Sequence, residues 1–505
     1  MNQDNSLHGE FSSISPAEFF YRNRQMAGFG NPSQAVYSTV RELVENSIDA
    51  CEEARRQPDV RVSIDEERSG IVRVTVSDNG TGVPYGEVPN AFARVLYGDK
   101  FTARQRRGTF GLGVTMAALY GQITTDSPVI VVTQTSHTTG RYYQLLIDIE
   151  NNQPVILSDE SHEREGPGTE VTIRLKGDLN RSRERVYDYL KLTTVASPHA
   201  HMELAINGSS IMRMGWWHQI LPAPTTTSKP HPHGADLELL RRLVADAGER
   251  SLHDFLVESF QRMGTRTATR FLKFLAINPR QAVNTLSRGD LSRLSSALRS
   301  FDGLGRPDGK CLSPIGKDAF LTSIESVFAP SALTYGSRGP TEWSGNAFIV
   351  EGVAAIDTGA RAAEVPTLYR FANRVPLLYD SGEDVLTKML KRVNWVQYGV
   401  RSTTPVSIFL HLCSTRIPFK AAGKQSIASL PEIEHEVLSL LRGLGRSLKK
   451  TLKRGERSVR DAQKKREFDK AMKQVAQFSA ELAECDAVPS TAELVHRLFE
   501  VDHHA

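Results

Sequence analysis

Glu42 and Asn46 stand four residues apart in Arg41-Glu42-Leu43-Val44-Glu45-Asn46-Ser47-Ile48-Asp49-Ala50. On a helix that spacing puts a carboxylate and a carboxamide on one side, one above the other. A carboxylate so placed can orient and deprotonate a water beside a phosphate, and a neutral amide oxygen can contribute to Mg²⁺ coordination. Alone, the pair is also what a solvated stripe on any amphipathic helix would carry. About thirty residues on comes Asp78-Asn79-Gly80-Thr81-Gly82. An aspartate at a strand end can accept a hydrogen bond from an adenine amino group, and Gly80 and Gly82 let backbone approach a base closely; the same residues also suit a plain hairpin turn. Gly108-Thr109-Phe110-Gly111-Leu112-Gly113 then precedes an apolar segment, where backbone amides can cradle phosphate. Gly166-Pro167-Gly168-Thr169 reads as a loop whose Thr169 hydroxyl can reach adenine through water. Together these pieces predict one nucleotide site.

The elements that must hold these residues follow from periodicity. Val36, Val40, Leu43, Val44, Ile48 and Cys51 recur at helical spacing and give the Glu42 helix one buried face, starting after Asn31-Pro32-Ser33. Ser15, Pro16 and Glu18 predict a capped helix before it. Strands are expected at 60–64, 71–76, 129–135, 143–149 and 170–175, with helices near 90–97 and 113–120. The polar, cationic segment 98–107 has the character of a mobile lid. The fold class is α+β, a sheet with helices covering one face. A Pro/Thr/His-rich linker at 221–234 ends this region, 236–304 reads as a small helical insert, and mixed strands and helices follow. Residues 431–482 predict one long helix, weakened by Gly443, Gly445 and Gly455, and 492–499 a last short one.

Composition narrows the class. The chain has 505 residues, with 62 Lys+Arg against 58 Asp+Glu, so no global charge demands a nucleic-acid partner. The positive charge is local: 442–473 carries 13 cations against 4 anions on helix-forming sequence, which suits either DNA binding or a solvated helix. Cys51, Cys311, Cys413 and Cys485 show no metal-like pairing and suit a reducing compartment. Neither a secretory signal nor a membrane span is expected, so the expected location is cytoplasmic and nucleoid-associated. A GxxxxGK[ST] phosphate loop is absent from the sequence.

The order ExxxN helix, DNGTG strand end, lid, GxxGxG and GPGTE resembles the gyrase, heat-shock chaperone, histidine kinase and MutL ATPase superfamily. More closely, residues 15–20, 39–47, 95–101, 229–234 (Lys-Pro-His-Pro-His-Gly) and 370–380 resemble the B subunits of DNA topoisomerase VI, from about residue 13 to beyond 440. The resemblance implies a Bergerat-type ATPase α/β sandwich at 16–228 after an arm at 1–15. It further implies a helix–two-turn–helix domain at 229–307, an α/β transducer domain with a long C-terminal helix at 308–482, and a tail at 483–505. It implies Glu42 as catalytic base and Asn46 as the Mg²⁺ ligand. ATP would then contact Asp78, Gly80, Gly82, Asp99, Lys100, Gly108, Thr109, Phe110, Gly111, Leu112, Gly113, Val114, Thr115 and Thr169. The transducer would carry a lysine that reaches the γ-phosphate; Lys424 after Gly423 is the candidate and Lys420 the alternative. Thr109 and Phe110 depart from the family's Gly-Gln-Gln-Gly-Ile-Gly, so side-chain contacts from the two glutamines are lost.

The function so implied is the ATP-hydrolysing subunit of a type IIB topoisomerase. ATP would drive self-dimerisation around double-stranded DNA, which the topoisomerase VI A subunit would cleave within an A2B2 heterotetramer; Leu494, Leu498, Phe499 and Val501 would form the docking face. The alternative is a stand-alone ATP-driven clamp or chaperone without strand passage, against which 229–234 and the insert speak. A histidine kinase is disfavoured because no phosphoacceptor-histidine helix precedes the site.

Overall fold

A computed structural model describes residues 13–98, 104–108, 112–420, 425–484 and 486–500. The expectations for Asp99, Lys100, Thr109, Phe110, Gly111, Lys424 and Val501, and for the side chain of Phe499, fall outside the described residues.

The first unit is an eight-stranded sheet whose one face is covered by helices. Its helices are α1 (Pro16–Arg22), α2 (Pro32–Glu53), α3 (Val88–Ala93), α4 (Gly113–Thr125) and α5 (Leu179–Ala196). Its strands are β1 (Asp59–Arg68), β2 (Ile71–Ser77), β3 (Val129–Gln134), β4 (Arg141–Asp148), β5 (Gln153–Ser161), β6 (Gly168–Lys176), β7 (His201–Ile206) and β8 (Ser209–Gly215). They run in the order β5-β4-β3-β6-β2-β1-β7-β8, with only the β1–β7 pair parallel. Alternate residues of β2 (Val72, Val74, Val76) point into the core and meet Val36, Val40, Val44 and Ile48 of α2. The N-cap expected at Ser15 forms, accepting from the Glu18 amide; α2 begins at Pro32, within the Asn31-Pro32-Ser33 stretch it was expected to follow, with Asn31 as a cap that accepts from the Gln34 amide.

Three details differ from the sequence expectation. β5 lies at the sheet edge with almost no buried position and so carries no alternation by which it could be foreseen. The β7–β8 hairpin turns at Asn207-Gly208, where φ is 50° and 74°, an Asn-Gly signal legible in the sequence. The helix expected at 90–97 runs from Val88 to Ala93 instead, because Arg94 is extended and Leu96 takes a left-handed φ of 61°.

The insert consists of α6 (Leu237–Ala247), α7 (Leu252–Ser259), α8 (Thr265–Leu275) and α9 (Arg288–Ser300), around a separate core that includes Phe255, Phe260 and Phe271. Then come α10 (Lys317–Phe328), β9 (Ala332–Trp343), β10 (Asn346–Ile356), β11 (Thr367–Ala372), β12 (Val375–Pro376), α11 (Val385–Arg392), β13 (Val406–Ser414), α12 (Pro431–Leu482) and α13 (Ala492–Glu500). The second sheet has the order β12-β11-β13-β10-β9. β13 is buried along its whole length, because both faces of this sheet are covered. On one side lie Leu440, Leu441, Leu444 and Leu448 of α12. On the other, Leu192 and Val195 of α5 join Phe320, Phe371 and Phe409, so the two sheets share an apolar seam.

α12 is a single 52-residue helix, about 78 Å long at 1.5 Å per residue. Gly445 lies where a Cβ would come 2.5 Å from the Tyr398 ring, so that glycine serves packing. Beyond Lys453 the helix is almost wholly exposed, and α13 folds back against its end with Val495 buried. No helix among the described residues is long and apolar enough to cross a membrane.

Candidate functional site

α2 supplies one wall of a cavity of ≈ 1040 Å³. Its apolar stripe is sunk in the core, which turns the opposite side, with Glu42, Asn46 and Asp49, toward the cavity. The far end of the wall is Asp78, one residue beyond β2. The Asp78 amide extends the ladder to β6 by donating to Thr169 O at 2.9 Å. Its Oδ1 accepts from the Gly80 amide (2.9 Å) and the Thr169 amide (3.1 Å). Burial pushes the Asp78 carboxyl up from its ordinary range, against those donors and the Ser47 hydroxyl. Thr169 Oγ1 lies 3.2 Å from Thr133 Oγ1, which in turn accepts from the Val83 amide at 2.8 Å. The polar end of the cavity is therefore rigid, and Val76, Val83, Ala91, Phe92 and Val171 add apolar lining suited to a flat ring.

The other end of the cavity is the start of α4. Gly108, Leu112, Gly113, Val114 and Thr115 line it, and among the described residues no side chain caps this helix, whose first amides have no partner in the helix itself. An uncapped helix N-terminus attracts anions such as phosphate. Glu42 reaches the same place. A Cβ on Gly113 would come 1.8 Å from Glu42 Oε2, so the carboxylate rests against the glycine that opens the helix. Glu42 is also ion-paired with Arg41, itself buried and 3.5 Å from Glu45.

Of the residues expected from sequence, Glu42, Asn46, Asp78, Gly82, Gly108, Leu112, Gly113, Val114, Thr115 and Thr169 meet in this one cavity. Gly80 does not line it. It stands behind the turn, where a Cβ would come 2.8 Å from Ala50 Cβ, so its smallness lets the turn approach α2 rather than a base. Gly82 has φ 69° and no room for a Cβ, which would fall 2.0 Å from Gln134 O. Lys420 pairs with Glu383 at 2.6 Å, away from the cavity lining.

The described part of the expected lid, 104–108, is anchored. Gln105 is buried and exchanges hydrogen bonds with Ser313, donating to its carbonyl (3.0 Å) and accepting from its amide (2.7 Å). Arg107 is buried and pairs with Asp49 and Glu52 of α2, each at 2.6 Å. Glu52 also takes His199 at 2.8 Å and Arg374 at 3.7 Å. Burial alone would raise the Glu52 carboxyl, but Arg107, His199 and Arg374 hold it well below the usual carboxylate range. Arg374 continues the path: its amide donates to His411 Nε2 (2.9 Å), and His411 Nδ1 meets Glu351 at 2.8 Å. Glu351 accepts further from Tyr335 and the Ile315 amide. Asn373 and Arg374 both have positive φ, 46° and 68°, a strained turn fixed by these bonds and by Asn373 Nδ2 donating to Arg106 O (3.1 Å). A chain of buried polar contacts thus links the last turn of the Glu42 helix to the second sheet. Sequence reasoning missed it because Arg107 read as a lid cation and its partners lie far along the chain.

A cavity with an apolar floor, a buried aspartate at one end and a carboxylate beside a helix N-terminus at the other has the parts of an ATPase module. Residues 31–179 match the family model for histidine kinase-, DNA gyrase B- and HSP90-like ATPases, and residues 307–465 the model for the transducer of the topoisomerase VI B subunit. The B subunit of type 2 DNA topoisomerase 6 from Saccharolobus islandicus is 37% identical over 467 residues, covering 91% of this chain and 88% of that protein. The namesake of Metallosphaera sedula is 37% identical over 90% of this chain and 87% of that protein. Among solved structures, the ATPase region of Saccharomyces cerevisiae topoisomerase II covers 85% of this chain and 96% of that one, at 10% identity and a TM-score of 0.40, a likeness too low to carry an argument. This chain belongs to the family of topoisomerase VI B subunits. It is the ATP-binding and ATP-hydrolysing subunit of a type IIB DNA topoisomerase.

Proposed function

We propose that Glu42 is the general base of ATP hydrolysis, and the observation that carries this is its carboxylate resting against Gly113 at the open N-terminus of α4. A γ-phosphate held by those amides would lie beside this carboxylate, which could take a proton from an attacking water. Asp78 would accept from the adenine amino group through the oxygen not engaged by Gly80 and Thr169, and Thr169 would reach the ring through water. Gly108 to Thr115, with Thr109, Phe110 and Gly111 among them, would hold the phosphates by backbone amides. Asp99 and Lys100 would approach from the lid, and Lys424 would reach the γ-phosphate from the transducer as a point charge.

Asn46 suits Mg²⁺: it offers a single neutral side-chain oxygen four residues from Glu42, and this ion keeps several waters and prefers few protein ligands. Bound there with ATP, Mg²⁺ would neutralise charge on the phosphate oxygens.

The chain divides into an arm at 1–15, an ATPase domain at 16–228, a helix–two-turn–helix domain at 229–307, a transducer at 308–482 and a tail at 483–505. Two such chains would dimerise on binding ATP and enclose double-stranded DNA. Closure requires tighter nucleotide binding to the closed state than to the open one. The path Glu52–Arg107–Arg374–His411–Glu351 and the apolar seam along α5 would pass the nucleotide state to α12. A partner resembling the topoisomerase VI A subunit, in an A2B2 assembly, would cleave the DNA and dock on the tail. The exposed cations of 442–473 suit contact with DNA phosphates.

The test is relaxation of supercoiled DNA by this chain together with its cleavage partner. Relaxation is expected only with both ATP and Mg²⁺. Relaxation without ATP would remove the energy-transducing role, and ATP hydrolysis without any relaxation would favour a clamp that performs no strand passage.

A further inference from the structure

His231, His233 and Glu342 bring three side chains of metal-ligating type together, and none of them lines the nucleotide cavity. One donor atom of each lies within 4.8 Å of the others. The two histidines belong to Pro230-His231-Pro232-His233-Gly234, between the two sheets in sequence, and Glu342 lies near the end of β9.

The hydrogen bonds around the rings decide which nitrogens carry the protons. His231 Nε2 faces the Gly305 carbonyl at 3.0 Å, and His233 Nε2 faces the Phe301 carbonyl at 3.2 Å. A carbonyl only accepts, so each Nε2 carries a proton and donates, which leaves each Nδ1 with a lone pair when the ring is neutral. His233 Nδ1 lies 3.6 Å from Glu342 Oε1. His231 Nδ1 accepts a long hydrogen bond, 3.4 Å, from the His233 amide, which a metal at this nitrogen would displace. His233 Nδ1 and Glu342 Oε1 thus face each other, with a ring nitrogen of His231 within 4.8 Å of the donor atoms of both residues. A backbone carbonyl bonded to the remote nitrogen is also the arrangement that fixes tautomer and ring orientation in metal-ligating histidines. Burial holds His231 below its ordinary pKa, which favours the neutral ligand form.

The backbone that carries these groups is closely fitted. The His231 amide donates to Gly345 O at 3.1 Å, and the Gly345 amide donates to Glu342 Oε2 at 2.8 Å, leaving Oε1 toward the rings. Gly234 touches the Ser344–Gly345 turn so closely that a Cβ would come 2.1 Å from its backbone. Donors of a tetrahedral zinc site stand about 3.3 Å apart for bonds of about 2.0–2.1 Å, so a contraction of at most about 1.5 Å from the 4.8 Å limit would close the site.

We propose that His231, His233 and Glu342 bind a zinc ion, with water in the remaining position, and so clamp the linker and the helical insert onto the second sheet. The insert contributes through Phe301 and Gly305, whose carbonyls hold the two rings. The ion would be structural, and nothing in its assignment depends on ATP hydrolysis.

The experiment uses the full-length chain stripped with a chelator and titrated with Co²⁺ as a spectroscopic substitute for zinc. One equivalent is expected to bind and give the intense visible d–d bands of a four- or five-coordinate N/O site, which Zn²⁺ then bleaches. His233→Ala and Glu342→Gln should each weaken binding at least about tenfold, since even outer partners of metal ligands cost roughly 10–100-fold. Zn²⁺ should raise the melting temperature of the wild type and not of Glu342→Gln, an isostere that can still accept from Gly345. The proposal is overturned if the wild type binds no Co²⁺, or if binding survives both substitutions. Failure of Zn²⁺ to stabilise the wild type would equally reduce the cluster to a His233–Glu342 ion pair.

Discussion

Arg107→Met tests the buried polar path between the two sheets. Arg107 is 5% exposed and gives its guanidinium to Asp49 and Glu52, while also donating to Ser197 Oγ at 3.0 Å. Removing one partner of a buried ion pair costs about 3–5 kcal/mol, because the charge left behind is uncompensated. Here the figure must be discounted. The Asp49 and Glu52 side chains keep 24% and 21% exposure, and Glu52 retains His199 and Arg374. An expected loss of about 2–3 kcal/mol follows, or roughly 5–10 °C for a unit of 150–250 residues. Scanning calorimetry on the full chain measures it, following the transition of the ATPase module because a multidomain chain is not two-state.

The pH dependence gives a second readout. The folded-state carboxyl of Glu52 lies well below its ordinary value, so its pairing stabilises fully above the unfolded pKa, about 4.3. That stabilisation fades as pH falls through the folded value. The gap between wild type and Arg107→Met should therefore be full near neutrality and close progressively below about pH 4. Arg107→Lys should fall between them, keeping the charge and losing the fork that spans two carboxylates. A shift under about 2 °C, or a gap independent of pH, would refute the reasoning.

Other substitutions probe the nucleotide cavity. Gly113→Ala places a Cβ where Glu42 Oε2 now sits, and ATP turnover should fall by about 10²-fold or more with much smaller loss of stability, as steady-state kinetics and melting will show. Asp78→Asn can keep its oxygen on the Gly80 and Thr169 amides only by turning an NH₂ toward the ring amino group, donor against donor. ATP binding, followed by calorimetric titration, should weaken at least about tenfold, the cost of roughly one unmatched buried polar contact. Lys424→Ala should leave ATP binding within a few-fold and slow hydrolysis by at least about tenfold, as a lost cation beside transferring phosphate does; normal hydrolysis would remove Lys424 from the site.

What could be read in the sequence had a period or a fixed local geometry. The α2 stripe, the Ser15 cap of α1, the Asp78 strand end and the limits of α12 all rest on contacts within a few residues. β5 could not be read, since an edge strand with both faces open has no reason to alternate. Arg107 was legible as a cation and illegible as a buried one, because its burial depends on Glu52 and Ser197 arriving from elsewhere in the chain. Gly80 shows the limit from the other side. Its need for smallness was legible, but the neighbour that imposes it is Ala50, across the α2 interface. His231 and His233 were legible as a motif, while Glu342, more than a hundred residues later, was not.

The measurement that bears most directly on the account is ATP binding and single-turnover hydrolysis by Glu42→Gln. The amide keeps the shape that rests against Gly113 and cannot take a proton. Binding should stay within a few-fold of wild type while the hydrolysis rate falls by about 10²–10⁴-fold, the usual worth of a positioned general base. Hydrolysis at the wild-type rate would contradict the assignment of Glu42 and with it the placement of the chemistry at the start of α4.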